Sequence, residues 1–354
     1  MMFLLPKKQS GFSLIELMIS IGLGLLLLLG ASQVYLSSKQ TYAFNEELGW
    51  MQENARFALD QLNRDVRMAG FWGCSTEGKF VNTLNPVGGS GWQIDFTRAV
   101  RGWDGDDAGY PSPEFPNSLG PIVNAATVPG SDLLTIRRAD DSTGQFNVTS
   151  HNTSSAVIDV DGSHDFAKGD ILVVTDCNHT AVMQHTGNGT NMVNHNPGGS
   201  VSPGNCQKAL GSSCGVAPSV DYRYSPDSGA TVMRAQAHGY YVDLAPNGVP
   251  SLYRRVIQSG SAAVASEELV QGVENIQFIY GEDLNGDGAP ERYVDSDDVT
   301  DWSDVTVVRL NMLVRSLAAI ASQPQPFRFA GTDYTPDDRF LRQQFVSTIK
   351  IRNK

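Results

Sequence analysis

The apolar pattern is densest at the start of the chain. From Phe12 to Ser38 nearly every position is apolar or small, and Leu17 to Ser38 run for 22 residues without a formal charge. An α-helix rises about 1.5 Å per residue, so this run reaches about 33 Å, enough for a hydrocarbon core of about 30 Å. One acid, Glu16, interrupts the segment near its start. An ionisable group in a membrane-length helix is costly, so it marks function rather than packing. Beyond Lys39 the pattern becomes amphipathic. Phe44, Leu48, Met51, Ala55, Ala58/Leu59, Leu62, Val66 and Ala69 fall three or four apart, one stripe of a 3.6-residue period. Glu46, Glu47, Glu53, Arg56, Asp60, Arg64, Asp65 and Arg67 take much of the remainder. The pattern predicts one helix of about 55 residues from Phe12, stopped at Ala69-Gly70, where glycine suits a C-cap. The stripe stops after about four heptads at a cysteine-bearing loop, which favours packing on the chain's own head over a coiled coil.

The period then changes to two. Strands are expected at Leu133–Arg137, Ala156–Val160, Ile171–Thr175, Gly239–Leu244 and Leu252–Ile257. The last two flank Pro246-Asn247-Gly248, a hairpin signal. Ile276/Phe278/Tyr280, Val308/Leu310/Met312/Val314 and Phe345/Ser347/Ile349/Ile351 alternate as antiparallel strands over a core do. Residues 75–130 are rich in turn signals and read as long loops with short strands, while His185–Gly204 reads as a mobile Asn/Gly/His/Pro loop. The expected fold class is α+β: a long N-terminal helix packed on an antiparallel β-sheet head with large loop insertions. The segments are a leader at 1–11, a membrane-length helix at 12–38, an amphipathic stalk at 39–70 and a β-rich head at 71–354.

Charge narrows the function. The 354 residues carry a net charge of −12, or −14 without Lys7 and Lys8 of the leader, so no nucleic-acid partner is expected. Four cysteines in an exported domain suggest two disulfides. Cys206 and Cys214 pair by proximity, and Cys74 with Cys177 by elimination. No C-x-x-C occurs and the six histidines lack ligand spacing, which disfavours zinc. No G-x-S-x-G, H-E-x-x-H or phosphate-cradling glycine loop is present, so no enzyme is expected.

The N-terminus has its own chemistry. A basic leader ends in Gly11, Phe12 follows, and Glu16 is fifth counting from Phe12. A secretory signal has no use for a carboxylate in its apolar stretch, and this stretch runs past Gly30 into a helical pattern. The arrangement resembles the type IV pilin family position for position. The resemblance implies cleavage by prepilin peptidase after Gly11, N-methylation of Phe12, and pairing of Glu16 with the terminal amine of a neighbouring subunit. A carboxylate in low dielectric is tolerable when it meets such a cation. Gly22, Gly24 and Gly30 fit either close helix packing or local unwinding inside a filament. RDVRMAGFWGC, GDILVVTDCNHTAV, GVENIQFIYGEDLNGDG, WSDVTVVRLNMLVRS and RFLRQQFVSTIKIRN make the head similar to the PilW family of minor pilins. That resemblance implies a subunit at or near a pilus tip that primes assembly with other minor pilins, the major pilin and a PilY-type tip protein. It also implies residence in the inner membrane of a Gram-negative bacterium, head in the periplasm, before export into the fibre. A large pseudopilin of a type II secretion system shares the same N-terminal logic.

One loop has metal-ligand character. Asp283-Leu284-Asn285-Gly286-Asp287-Gly288 fits D-x-[DN]-x-[DN]-G, the opening of a calcium loop. Asp283, Asn285 and Asp287 would give side-chain oxygens, Ala289 its carbonyl, and Glu291 a ligand through water. The twelfth position, where an EF-hand places a bidentate acid, is Val294, and Asp295 could replace it only if the loop relaxes. The same residues also make a plain turn between strands. Calcium is therefore a possible cofactor, and a membrane-anchored calcium-dependent adhesin is the reading from a different class.

Overall fold

The computed structural model describes Gly11 and residues 13–73, 78–85, 91–105, 130–140, 142, 144–198 and 200–353. Helix α1 spans Leu14–Met68, 55 residues, so the predicted helix forms almost to the residue. Two compact units divide within it, Met1–Trp50 and Met51–Lys354. In the first unit the helix is exposed along its apolar stretch and is long and apolar enough to cross a membrane. It runs unbroken through Gly22, Gly24 and Gly30, where an added Cβ would meet nothing within 4 Å. Unwinding at these glycines is absent from the isolated chain.

In the second unit Met51, Ala55, Ala58, Leu62, Val66 and Ala69 are fully buried, the predicted stripe. Phe44, at its membrane end, is 42% exposed. The helix stops at Gly70, whose φ of +74° is costly for other residues and whose Cβ would lie 2.8 Å from Asn353 O.

The strands in chain order are β1 Lys79–Asn82, β2 Val100–Gly105, β3 Gly130–Asp140, β4 Phe146–Asn152, β5 Val157–Val160 and β6 Ile171–Thr175. Next come β7 His179–Gln184, β8 Met192–Asn194, β9 Thr231–Leu244, β10 Pro250–Ile257, β11 Val264–Gln271 and β12 Val273–Glu282. The last are β13 Arg292–Val294, β14 Val305–Arg315, β15 Phe327–Phe329, β16 Thr332–Tyr334 and β17 Arg342–Lys350. Among the described residues they form an 11-stranded sheet along β1-β7-β6-β9-β4-β5-β8, with β2, β3, β10 and β11 branching at β9. A four-stranded sheet runs β13-β12-β14-β17, and β15 pairs with β16. The Asn-Gly hairpin forms as expected, with Leu244 opposite Pro250. Among the described strands, the pairing of β1 with β7 departs from the antiparallel expectation: the two lie parallel.

The continuous apolar run of β6 follows from burial on both faces. Val173, Val182 and Met233 join a core with Trp72, Trp92 and Phe96. Leu172, Val174 and Val232 join a second core with Ile158, Phe166 and Tyr224. A strand covered on both sides loses polar alternation.

The segment 185–204 is not the mobile loop its composition suggests. It contains β8, which pairs with β5, and His185 and His195 are fully buried. Gln184 and Asn205 lock its ends: Asn205 Oδ1 accepts from Gln184 N–H at 2.7 Å, and Gln184 Oε1 accepts from Gly204 N–H at 2.7 Å. Polar side chains here replace backbone pairing, a device that leaves no periodic signal.

Candidate functional site

Glu16 lies in the first turn of α1 and is exposed in the isolated chain. Its Oε2 accepts Ser13 N–H at 3.1 Å, and Ser13 Oγ accepts Glu16 N–H at 3.2 Å. This is a reciprocal capping box, and its signal, Ser-x-x-Glu at 13–16, was present in the sequence. Glu16 therefore caps its own helix as well as being available to a partner. Gly11 is exposed, and Phe12 and leader residues 1–10 lie outside the described residues.

The acidic loop lies between β12 and β13, strands rather than the helices of an EF-hand. Asp283, Asp287 and Glu291 bring carboxylate oxygens within 4.8 Å of one another. Asp283 Oδ1 accepts Gly286 N–H at 2.7 Å and Asp287 N–H at 3.2 Å, and its Oδ2 accepts Gly288 N–H at 2.6 Å. Burial alone would raise this carboxyl, but those amides, with that of Asn285, hold it below its usual range. Asn285 Nδ2 donates to Glu291 Oε1 at 2.5 Å, and Asp287 Oδ1 accepts Ala289 N–H at 2.8 Å. The turn closes through its own hydrogen bonds, and its oxygens converge as well. Asp295 does not join them. It precedes a short 3-10 turn at Ser296–Asp298, where burial and then the charge of Asp104 raise its pKa.

A third cluster sits under the helix. Asp65, placed by its spacing among the charged positions of the helix, is only 1% exposed. It faces β9, β3 and β10: His238 Nδ1 at 2.5 Å, Arg138 at 3.9 Å and Arg254 at 4.0 Å, while the Tyr240 hydroxyl donates to it. Burial would raise the Asp65 pKa, and His238, Tyr240 and Arg138 together outweigh it and hold it low. A buried carboxylate with cationic partners fixes the helix at one register on the sheet. Sequence reasoning missed it because i,i+3 spacing from Leu62 makes position 65 a flank of the stripe, equally suited to either environment. Replacing Asp65 with Asn should lower unfolding free energy by about 2–3 kcal/mol, since one member of a buried ionic group is lost while two arginines retain some solvent. Chemical denaturation at neutral pH measures this, and an unchanged midpoint would refute the anchoring role.

Cys206 and Cys214 are bridged, with Cα atoms 6.0 Å apart, as proximity predicted. The closed loop clamps β1: Cys206 N–H donates to Thr83 O at 2.9 Å and Cys214 N–H to Asn82 O at 3.2 Å. Cys177 is disulfide-bonded, and Cys74 lies outside the described residues.

Comparison with known proteins places matches at both ends of the chain. Residues 6–32 match the prokaryotic N-terminal methylation motif. Residues 239–353, from the second half of β9 through β17, match the family described as Type IV Pilus-assembly protein W. No curated protein and no solved structure matches. The methylation motif implies processing by a prepilin peptidase, and with the apolar helix it points to membrane anchoring and pilus association. Its first helix is thus similar to that of type IV prepilins, and its C-terminal strands are similar to the PilW family.

Proposed function

We propose that the chain is a minor pilin of a type IV pilus, acting through subunit contacts rather than catalysis, and that it primes assembly from a place at or near the tip. The observation that carries this reading is the Gly11-Phe12 pair in the sequence just ahead of Glu16, which lies in the first turn of one continuous helix, together with a PilW-like C-terminal half of the head. Cleavage after Gly11 frees a Phe12 amine, and that amine on one subunit neutralises Glu16 on the next. The partners are then prepilin peptidase, the other minor pilins, the major pilin and a PilY-type tip protein. The chain waits as a single-pass protein in a Gram-negative inner membrane with its head in the periplasm. Deleting the gene should abolish surface pili and twitching while exoprotein secretion continues. Lost secretion with intact pili would instead identify a type II pseudopilin. Mass spectrometry of native material should find N-methylated Phe12 at the mature terminus.

The loop at Asp283–Glu291 is the proposed calcium site, supported by its three convergent carboxylates. Lacking an acid at Val294, it should bind weakly, with Kd of about 0.1–1 mM. Calorimetric titration of the detergent-solubilised chain should show one site that Asp287→Ala removes. Absence of heat at saturating calcium would leave the residues as a turn only.

A further inference from the structure

A cleft of about 1030 Å³ opens in the second unit between the two large sheets. Its walls oppose the charge of the chain. Arg67, Arg98, Lys350 and Arg352 line it against Asp283 and Asp304; Asp95 pairs with Arg98 at 3.0 Å, which still leaves a cation in excess on a protein of net charge −12. The main chain at Arg98 is tied to the core. Fully buried Arg137 donates from Nε and Nη2 to Trp92 O at 3.0 and 2.6 Å and from Nη1 to Arg98 O at 3.1 Å.

Among the described residues the same cleft is bordered by an outer strand of each sheet, β1 and β17. Ile351 N–H donates to Thr306 O at 2.9 Å, and β17 continues from there in unbroken antiparallel register with β14. Antiparallel pairing alternates, so Thr348 and Lys350 turn their main-chain N–H and C=O away from β14. Both residues line the cleft. On β1, Lys79 and Thr83 N–H groups bond Asn178 O and Val182 O beside β7, so Phe80 turns its main chain the other way. Phe80 also lines the cleft, and its neighbour Asn82 is covered by the disulfide loop through Ser213 and Cys214. Two strand edges with main-chain groups turned outward thus border one cation-rich space.

We propose that this cleft receives an extended acidic peptide segment of a partner protein, which adds as a strand to an outer edge and sets its carboxylates against the arginines. Unpaired strand edges recruit such segments, main-chain bonds giving affinity and alternate side chains giving selectivity. The inference stands apart from the pilus reading, since peptide binding can hold or fail whatever the deletion phenotype.

The test uses the full chain in detergent micelles and fluorescence anisotropy of labelled peptides. A peptide of alternating glutamate and valine should bind saturably and more weakly as salt rises, and its lysine–valine counterpart should not bind. Arg98→Glu combined with Arg352→Glu should weaken binding about tenfold or more. Thr348→Pro removes an outward N–H but no ladder bond, so it should reduce binding while circular dichroism is unchanged. No saturable binding, equal binding of the lysine peptide, or full binding by Thr348→Pro would each overturn the proposal. So would capture of the sulfated glycan heparin while the acidic peptide fails to bind.

Discussion

Between pH 6.5 and about 4 the protein should lose stability steeply, and a pair of buried histidines is the main reason. His151 Nε2 and His195 Nε2 are 3.2 Å apart, and both rings are buried. His151 Nδ1 accepts Tyr224 N–H at 3.2 Å, so the proton of His151 sits on Nε2 and points at His195. His195 must then accept at Nε2 and carry its own proton on Nδ1. The hydrogen bonds thus define two neutral rings with fixed tautomers. A further proton has to break either the contact between the rings or the one from Tyr224. Burial, and then Arg223, pushes His151 down to about 4; burial, and then His151, pushes His195 down to about 3. The unfolded chain takes up these protons near 6.5 and the folded chain does not, so unfolding is favoured as pH falls below 6.5. Two protons are worth up to about 2.7 kcal/mol per pH unit, or about 7 kcal/mol by pH 4; screening near His151 reduces this to about 4.

Other groups modify the slope. His179 and His185 are lowered mainly by burial and act in the same direction. Asp65, held low, adds its own loss only as pH falls below the unfolded carboxylate value of about 3.9. Asp132 opposes them. Burial raises it to about 8 despite amide bonds from Phe278 and Gly105, so its stabilisation is full below about 3.9 and is lost as pH rises through 8. Asp295, also raised, opposes them too, but two carboxyls do not cancel four histidines, and the net slope remains acid-destabilising. Urea unfolding of the solubilised chain at pH 7 and pH 4.5 reads this directly. His151→Gln with His195→Leu should be weaker at pH 7 yet clearly flatter with pH. An unchanged slope in that variant would rule out the pair as its source.

The sequence carried the helix and the strands because both depend on periodic burial. The stripe from Met51 to Ala69 and the alternation in β12, β14 and β17 each repeat one environment at a fixed spacing. The groups that were not legible are polar and depend on partners far along the chain. Asp65 meets residues more than 170 positions away, and His151 meets His195 across 44. The parallel seat of β1 is similar: it is held at Asn82 and Thr83 by a disulfide loop more than 120 residues later. The acidic loop was legible as a turn and as a cluster of acids because its contacts are local. The capping box at Ser13 and Glu16 was equally local, carried by the Ser-x-x-Glu spacing.

The pairing proposed for Glu16 makes it the position where substitution should have the largest functional effect. Glu16→Ala should leave the protein in the membrane and exclude it from the fibre, and Glu16→Gln should do the same. The two variants remove different things. Alanine removes both the charge and the bond from Ser13 N–H, at a cost to the helix start of about 1 kcal/mol. Glutamine keeps a side-chain oxygen at the same reach, and capping boxes accept it. Only the negative charge is lost. The apolar run from Leu17 to Ser38 is untouched in either case, so membrane insertion persists. If the carboxylate serves a neighbour's Phe12 amine, both variants fail alike, because a neutral amide leaves that cation without a counterion in low dielectric. If it serves only the cap, Glu16→Gln enters the fibre normally and Glu16→Ala is merely impaired. Immunoblots of sheared pili against membrane fractions separate these outcomes, and normal incorporation of Glu16→Gln would end the ionic account of assembly.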